Sequence, residues 1–286
     1  MALTSLELSG LPAFHDEVRL HARALLEAHE QYPRLSSVFA TEQRAMMGSI
    51  AFSLYFMSEP EAPRRSFTLA RYLDLVESYS VASRNTADAF IKEMLKYGYL
   101  RYADAESDRR ARPFEATETS MDGLLMWAMA HLRTLDNFDG GKRVGTVAQD
   151  PDVLFKLHPL IAVGLVGDGR KEEYSGTLSL FAWVVNSKLF FLRILAGMGP
   201  VEEGATQITT DIDSIPQLAA WMNVSQTHFA RKLREAEDMG SIGWSGPRGQ
   251  SPMWISTQFL HEMTNEQASR LAFFDTAFEA VFPGGA

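Results

Sequence analysis

The chain has 286 residues, 46% of them hydrophobic, with a net charge of −9 and no cysteine. That length and apolar content support a sizeable core and one to three domains. The lack of cysteine excludes disulfides, thiolate metal sites and a cysteine nucleophile, and it fits a reducing cytoplasm. No apolar run reaches the about 18 residues of a membrane span. The nearest, Leu178 to Leu195, is broken by Asn186, Ser187, Lys188 and Arg193. The start lacks the basic-then-apolar order of a secretory signal, so no membrane partner is expected.

In chain order, residues 11–31 carry an amphipathic helical pattern with Val18, Ala22, Leu25 and Leu26 on the apolar side. Pro33 ends it. A second helix is predicted over 41–57, with Met46, Ile50, Leu54 and Met57 on one face. A Pro-containing connector follows, then a short helix at 68–77. Ser83 caps the next helix, which runs to about Tyr97 and is closed by Gly98. Residues 99–102 read as a strand, 103–113 as a polar tip and 114–117 as the return strand. An apolar helix is predicted over 120–138, stopped by Asp139, Gly140 and Gly141. The division between halves falls at 139–150, giving domains 1–142 and 143–286.

In the second half, 151–175 reads as irregular, with Pro151, Pro159 and a Gly-rich stretch from Gly164 to Gly169. Residues 177–198 are predicted as one long helix and 208–213 as a short extended segment. Ser214 and Gln217 have capping-box spacing, with Pro216 between them. A short helix at 218–222 leads to a turn at Asn223, where Asn tolerates the left-handed conformation. Ser225 then caps a helix that ends before Gly240. Strands at 242–244 and 253–257 flank a tip, and a last helix is predicted over 264–282.

Two stretches share this plan. Ser83 pairs with Ser225, Gly98 with Gly240, Leu100 with Ile242 and Tyr102 with Trp244, all at an offset of 142. Past the tip, Phe114 pairs with Trp254 and Thr117 with Thr257 at 140, and Phe138 with Phe282 at 144. Matching elements with small offset changes in the loops are what an internal duplication gives.

A helix, a tight turn and a Ser-capped second helix is the helix-turn-helix arrangement, whose second helix enters the DNA major groove. In the second copy, Ala219, Phe229 and Leu233 face inward and leave Gln226, Thr227, Arg231 and Arg234 outside, with His228 at the helix start. In the first, Ala87, Ile91, Met94 and Leu95 face inward, and Arg84, Asn85, Asp88 and Lys92 face outward. Gln, Asn and Arg suit bidentate base contacts; Ser and Thr, here Ser83, Thr86 and Ser225, suit phosphates. Asp88 in that outer row would repel phosphates.

The stretch NTADAFIKEMLKYGYLRYADAESDRRARPFEATE resembles the winged-helix core of MarR-type bacterial transcription regulators. In these, a recognition helix is followed by Gly, a strand, a wing with an Asp-Arg-Arg-like element and a return strand ending in Leu-Thr-Glu. Asp108, Arg109 and Arg110, then Thr117 and Glu118, stand at those places. The resemblance covers about 66–138 and, more weakly, 212–282. It implies that Arg109, Arg110 and Arg112 reach the minor groove, with Arg248 alone in the second wing. The family works as homodimers, whereas this chain holds two units and could pair with itself.

The expected fold is mainly α with small β-wings: two tandem winged helix-turn-helix domains packed through long flanking helices. The expected function is a cytoplasmic bacterial transcription regulator whose partner is double-stranded DNA, with a small-molecule effector as an optional further partner. Its state would be a monomeric pseudo-dimer or a homodimer, reading an asymmetric site or half-sites roughly 34–36 Å apart. The rivals are a winged-helix module for protein contacts, favoured by the acidic balance, and a small-molecule sensor, which needs an enclosed pocket near the long helices. Phe181, Trp183, Phe190 and Phe191 are candidates for such a pocket, but at helical spacing they read first as core. Neither the Gly164 to Gly169 stretch nor Asp139 to Lys142 completes a nucleotide-binding fingerprint. His15 and His21 do not share a helix face for a metal, and no catalytic constellation can be assembled, so no enzyme and no cofactor are expected.

Overall fold

The computed structural model describes residues 2–31, 33–39, 41–58, 65–103, 112–167, 176–181, 184 and 186–284, with 35–37 described for the backbone alone. It is mainly helical, 68% helix, with two small antiparallel sheets of two and three strands. The first half runs α1 (Ser5–Ser9), α2 (Phe14–Gln31), α3 (Pro33–Val38), α4 (Glu42–Phe56), α5 (Leu69–Ser78), α6 (Arg84–Lys96), β1 (Leu100–Tyr102), β2 (Phe114–Ala116) and α7 (Glu118–Asp139). The second runs α8 (Arg143–Gln149), a 3-10 turn at Pro151–Val153, α9 (Leu154–Gly167), α10 (Gly176–Phe181), α11 (Ser187–Gly197), β3 (Gln207–Thr209), α12 (Ile215–Trp221), α13 (Gln226–Asp238), β4 (Ile242–Trp244), β5 (Met253–Ser256) and α14 (Thr257–Val281). Among the described residues no helix is long and apolar enough to cross a membrane.

Local chemistry sets most of these boundaries. The side chains of Thr41, Thr68, Ser83, Ser214, Ser225 and Ser256 each accept an N–H in the first turn of the helix they precede. Each such cap contributes about 1 kcal/mol. Gly98 and Gly240 take φ of +73° and +71° just after α6 and α13, a conformation that only glycine adopts without strain.

Four expectations are corrected. The helix predicted over 177–198 is two: α10 ends at Phe181 and α11 starts at Ser187, because Asn186 turns left-handed (φ +63°) and its amide donates to the Met222 carbonyl at 2.7 Å. The stretch read as irregular after 151 contains α9, which is helical through Pro159 as far as Gly167. The last helix begins at Thr257, seven residues early, because Ser256 caps it. Met57 lies just beyond α4 and is exposed, not on the inner face. The stretch between the halves is itself helical, as α8. The short α1, with a capping box between Thr4 and Glu7, was not foreseen.

The backbone aligns the two halves closely. The N–H of Tyr99 donates to Met94 O, and that of Ser241 to Ala236 O; Thr117 donates to Tyr99 O, and Ser256 to Ser241 O; Ala103 donates to Pro113 O, and Ser245 to Pro252 O. Before the tip the offset is 142 (Tyr99 to Ser241); after it, the offset is 139 (Thr117 to Ser256), not the 140 read from the sequence. Phe114 therefore corresponds to buried Met253, not to Trp254. The 139 holds along the long helices too: Leu124, His131, Leu132 and Leu135 of α7 map onto Met263, Arg270, Leu271 and Phe274 of α14, all buried. The 144 pairing of Phe138 with Phe282 fails for that reason.

Packing obeys the same exchange. α2 packs on α7 as α9 packs on α14; α4 packs on α9 as α11 packs on α2; α8 packs on α7 as α1 packs on α14. Contacts in which i meets j and j meets i define an isologous interface. α3 and α10 break the correspondence, since α10 contacts α13 and α14 whereas α3 contacts α2. Buried residues from both halves join one continuous core.

One polar node ties this seam. The buried Arg143 guanidinium donates to Asp136 (3.1 Å), to both oxygens of Asp139 (2.8 and 2.7 Å) and to Asp275 of α14 (2.7 Å). The other Asp275 oxygen accepts the Leu3 N–H at 2.7 Å. Removing the cation strands these carboxylates, so Arg143→Ala is expected to cost about 3–5 kcal/mol. Urea unfolding monitored by circular dichroism checks this.

Candidate nucleic-acid interface

α12 and α13 form the better-exposed helix pair. Ala219, Phe229, Leu233 and Ala236 are buried between them and the core. Asn223 takes φ +54° in the turn, as its residue type suggested, and the Val224 N–H closes on Ala219 O at 3.0 Å. Burying 229, 233 and 236 on a 3.6-residue period turns the other face outward. Ser225, Gln226, Thr227, His228, Arg231 and Arg234 are all exposed there. Arg231 bonds His228 Nδ1 at 3.0 Å, and among the described residues neither Arg231 nor Arg234 forms an ion pair.

α5 and α6 repeat the geometry with different electrostatics. Val81 N–H closes on Val76 O at 3.0 Å after Ser80 at φ +54°. Ala87, Phe90, Ile91 and Met94 are buried; Leu95, expected inside, is only partly so, and Phe90 takes its place. Ser83, Arg84, Asn85, Thr86 and Lys92 are exposed as expected. However, Arg84 bridges Asp74 (2.8 Å) and Glu77 (2.9 Å) of α5, and Lys92 bridges Asp88 (2.6 Å). Three carboxylates surround two cations, so this face offers a phosphate little net attraction.

The wings also differ. In the first, Arg112 lies over the Tyr102 ring at 5.6 Å, whereas Arg109 and Arg110 lie outside the described residues. In the second, Arg248 is fastened to α13: its Nε meets both Glu237 oxygens at 2.9 Å and its outer nitrogen donates to Ala230 O at 3.1 Å. Trp244 Nε1 donates to the same Glu237 at 2.8 Å. Gly243 sits under the Trp254 ring, where a Cβ would come within 2.0 Å. The second wing is thus a rigid brace for α13.

A second feature lies where the halves meet. A cavity of about 250 Å³ is bordered by α2, α4, α7, α9, α11 and α14. Its lining includes Phe52, Trp127 and His131 and the ion-paired Glu42, Lys188, Glu266 and Arg270. Of the aromatic residues proposed for a pocket, Phe191 borders it, Phe181 and Phe190 are core against Phe229, and Trp183 lies outside the described residues. No group of residues suited to a metal ion occurs among those described. Comparison with protein-family models, curated proteins and solved structures returns no match.

Three buried histidines line or back this region. Burial lowers His21 to about 4 and His158 to about 3, and holds His131 well below its usual value. His131 stacks on Phe274 at 4.3 Å and its Nδ1 lies 2.8 Å from Trp127 O, so the neutral ring donates from Nδ1. The unfolded chain takes up protons near pH 6.5 while the folded chain resists them. Stability is therefore complete above about pH 6.5 and falls as pH drops below it, by about 1.4 kcal/mol per pH unit for each histidine. Urea midpoints measured from pH 7.5 to 5 should show this decline, and His158→Leu should remove about one histidine's share.

Proposed function

We propose that the chain is a pair of winged helix-turn-helix units forming an intramolecular pseudo-dimer, and that it binds double-stranded DNA as a transcription regulator. The observation that carries this reading is the outer face of α13. Gln226 and Thr227 precede two arginines that form no ion pair among the described residues, on a capped helix that follows a tight turn and is braced by its wing. Arginines suit guanine edges and phosphates, Gln suits adenine, and the first turn of such a helix reaches furthest into the major groove. The exchange-related packing of the halves supports the pseudo-dimer, since it is the arrangement of a two-fold homodimer joined into one chain.

The two heads are unequal in this reading. α13 supplies the main affinity. α6 contributes less, because its cations already serve Asp74, Glu77 and Asp88. An overall charge of −9 is compatible with this, since binding depends on the local field of the docking face.

Fluorescence anisotropy with duplex DNA fragments at several salt concentrations tests the proposal. Affinity should fall steeply with salt, and each arginine lost from a phosphate contact should lower the log–log slope by about 0.9. Arg231→Ala with Arg234→Ala should weaken binding at least tenfold, whereas Arg84→Ala should change it less than threefold. Equal affinity of all three proteins, or binding indifferent to salt, would remove the DNA reading and leave the protein-contact alternative.

A further inference from the structure

We infer that Arg248 of the second wing serves DNA binding without touching DNA: it masks the Glu237 carboxylate, which otherwise stands beside the arginines of α13 and repels phosphate. Arg248 is then a positioning residue for the face of α13, and this role rests on the DNA reading of that face. Three observations carry it. The first is where the carboxylate stands. Ala230, Arg234 and Glu237 follow the i, i+4, i+7 spacing of one helix face. Side chains on a helix lean towards its N-terminus, so the Glu237 carboxylate reaches back over the turn that carries Arg234. The guanidinium that meets Glu237 also donates to Ala230 O at 3.1 Å, which places the carboxylate alongside that turn.

The second observation is how the carboxylate is engaged. Arg248 Nε meets both Glu237 oxygens at 2.9 Å, and Trp244 Nε1 donates to one of them at 2.8 Å. The two charged side chains are only 31% and 21% exposed, so the pair lies against the helix and not in open solvent. The wing is shaped to hold it there. Its tip closes through Ser245 N–H on Pro252 O and Gly246 N–H on Ser251 Oγ, both at 2.9 Å. Gly249 takes φ +68°, and a Cβ there would lie 3.3 Å from the Ile215 side chain of α12. The tip is thus turned down onto its own helix pair, and the arginine it carries is spent on a carboxylate and a carbonyl of α13.

The third observation is the acidic end of α13. Its last turn holds Glu235, Glu237 and Asp238, where the negative end of the helix already disfavours carboxylates. Glu235 meets Lys232 at 2.7 Å, and Glu237 meets Arg248. Asp238 is the last residue of the helix, furthest from Gln226 and Thr227. An uncovered carboxylate at Glu237 would subtract from the field that Arg231 and Arg234 present, because the attraction of a phosphate depends on the local charge. Arg248 cancels that charge from the wing side and leaves the outer arginines to act on DNA.

Fluorescence anisotropy with the full chain and duplex DNA fragments, over a series of salt concentrations, tests this. Arg248→Ala uncovers the carboxylate and should weaken binding at least threefold. Adding Glu237→Gln removes the carboxylate too, and should bring affinity back to within twofold of the wild type with the wild-type salt slope. Loss of a mere brace would leave both variants weak, so rescue separates masking from a structural role. A double variant that stays as weak as Arg248→Ala overturns the inference, and a log–log slope lower by about 0.9 makes Arg248 a phosphate contact instead. Arg248→Ala that binds like the wild type overturns it as well. Should Arg248→Ala lose its fold by circular dichroism, Arg248→Gln with Glu237→Gln decides: this neutral pair can still hydrogen-bond, and masking requires wild-type affinity and slope. Failure of the DNA reading looks different, since the wild type itself then shows no salt-sensitive binding, and the role of Arg248 falls with it.

Discussion

Neither half of this chain can cover its own long helix. α7 and α14 each carry a buried stripe, and the stripes meet one another where Trp127 and His131 pack against Phe274. α11 of the second half packs on α2 of the first, and α4 of the first half packs on α9 of the second. Joining two units through an isologous seam removes both exposed stripes at once. The polar node at Arg143 follows from the same constraint: α8 must close over the end of α7 and still reach Asp275 on α14, and a single buried guanidinium serves both.

The exposed faces then become specialised by what surrounds their cations. In α6 the acidic partners come from α5 and from the helix itself, so Arg84 and Lys92 are held within local pairs. In α13 the acidic residues lie further along, where Lys232 meets Glu235 and Arg248 meets Glu237, and Arg231 and Arg234 form no ion pair among the described residues. Exposed pairs of this kind contribute little stability. Their effect is on the local field: Arg84 and Lys92 of α6 face neighbouring carboxylates, whereas Arg231 and Arg234 of α13 form no ion pair among the described residues.

Much of this could be read from the sequence, and the remainder divides along a physical line. Helices with a Ser or Thr cap were legible because that signal is local: α5, α6, α12 and α13 fall within a few residues of their expected positions, and α6 and α13 also have a glycine stop. The face of α13 was legible for the same reason, since one capped helix with a 3.6-residue period determines which side chains point out. The break at Asn186 depends on a hydrogen bond to Met222, 36 residues away, and no local pattern announces it. The register after the wing depended on burial, so matching aromatic residues, Phe114 with Trp254, misplaced it by one. The commitments of Arg84 and Arg248 are set by carboxylates on neighbouring turns and elements. The cavity is built from six helices; its only trace in the sequence is small residues at Ala45, Ser49 and Gly123 within otherwise bulky stripes.

Carrying both halves in one chain also frees the seam from strict symmetry. In a two-fold homodimer any substitution on the axis appears twice, so a lysine or glutamate there would face its own copy at close range. In one chain α7 and α14 need not match, and at the 139 offset Trp127 and His131 of α7 correspond to Glu266 and Arg270 of α14. The same freedom separates the exposed faces of α6 and α13: α6 precedes the hairpin that leads into α7, and α13 the hairpin that leads into α14.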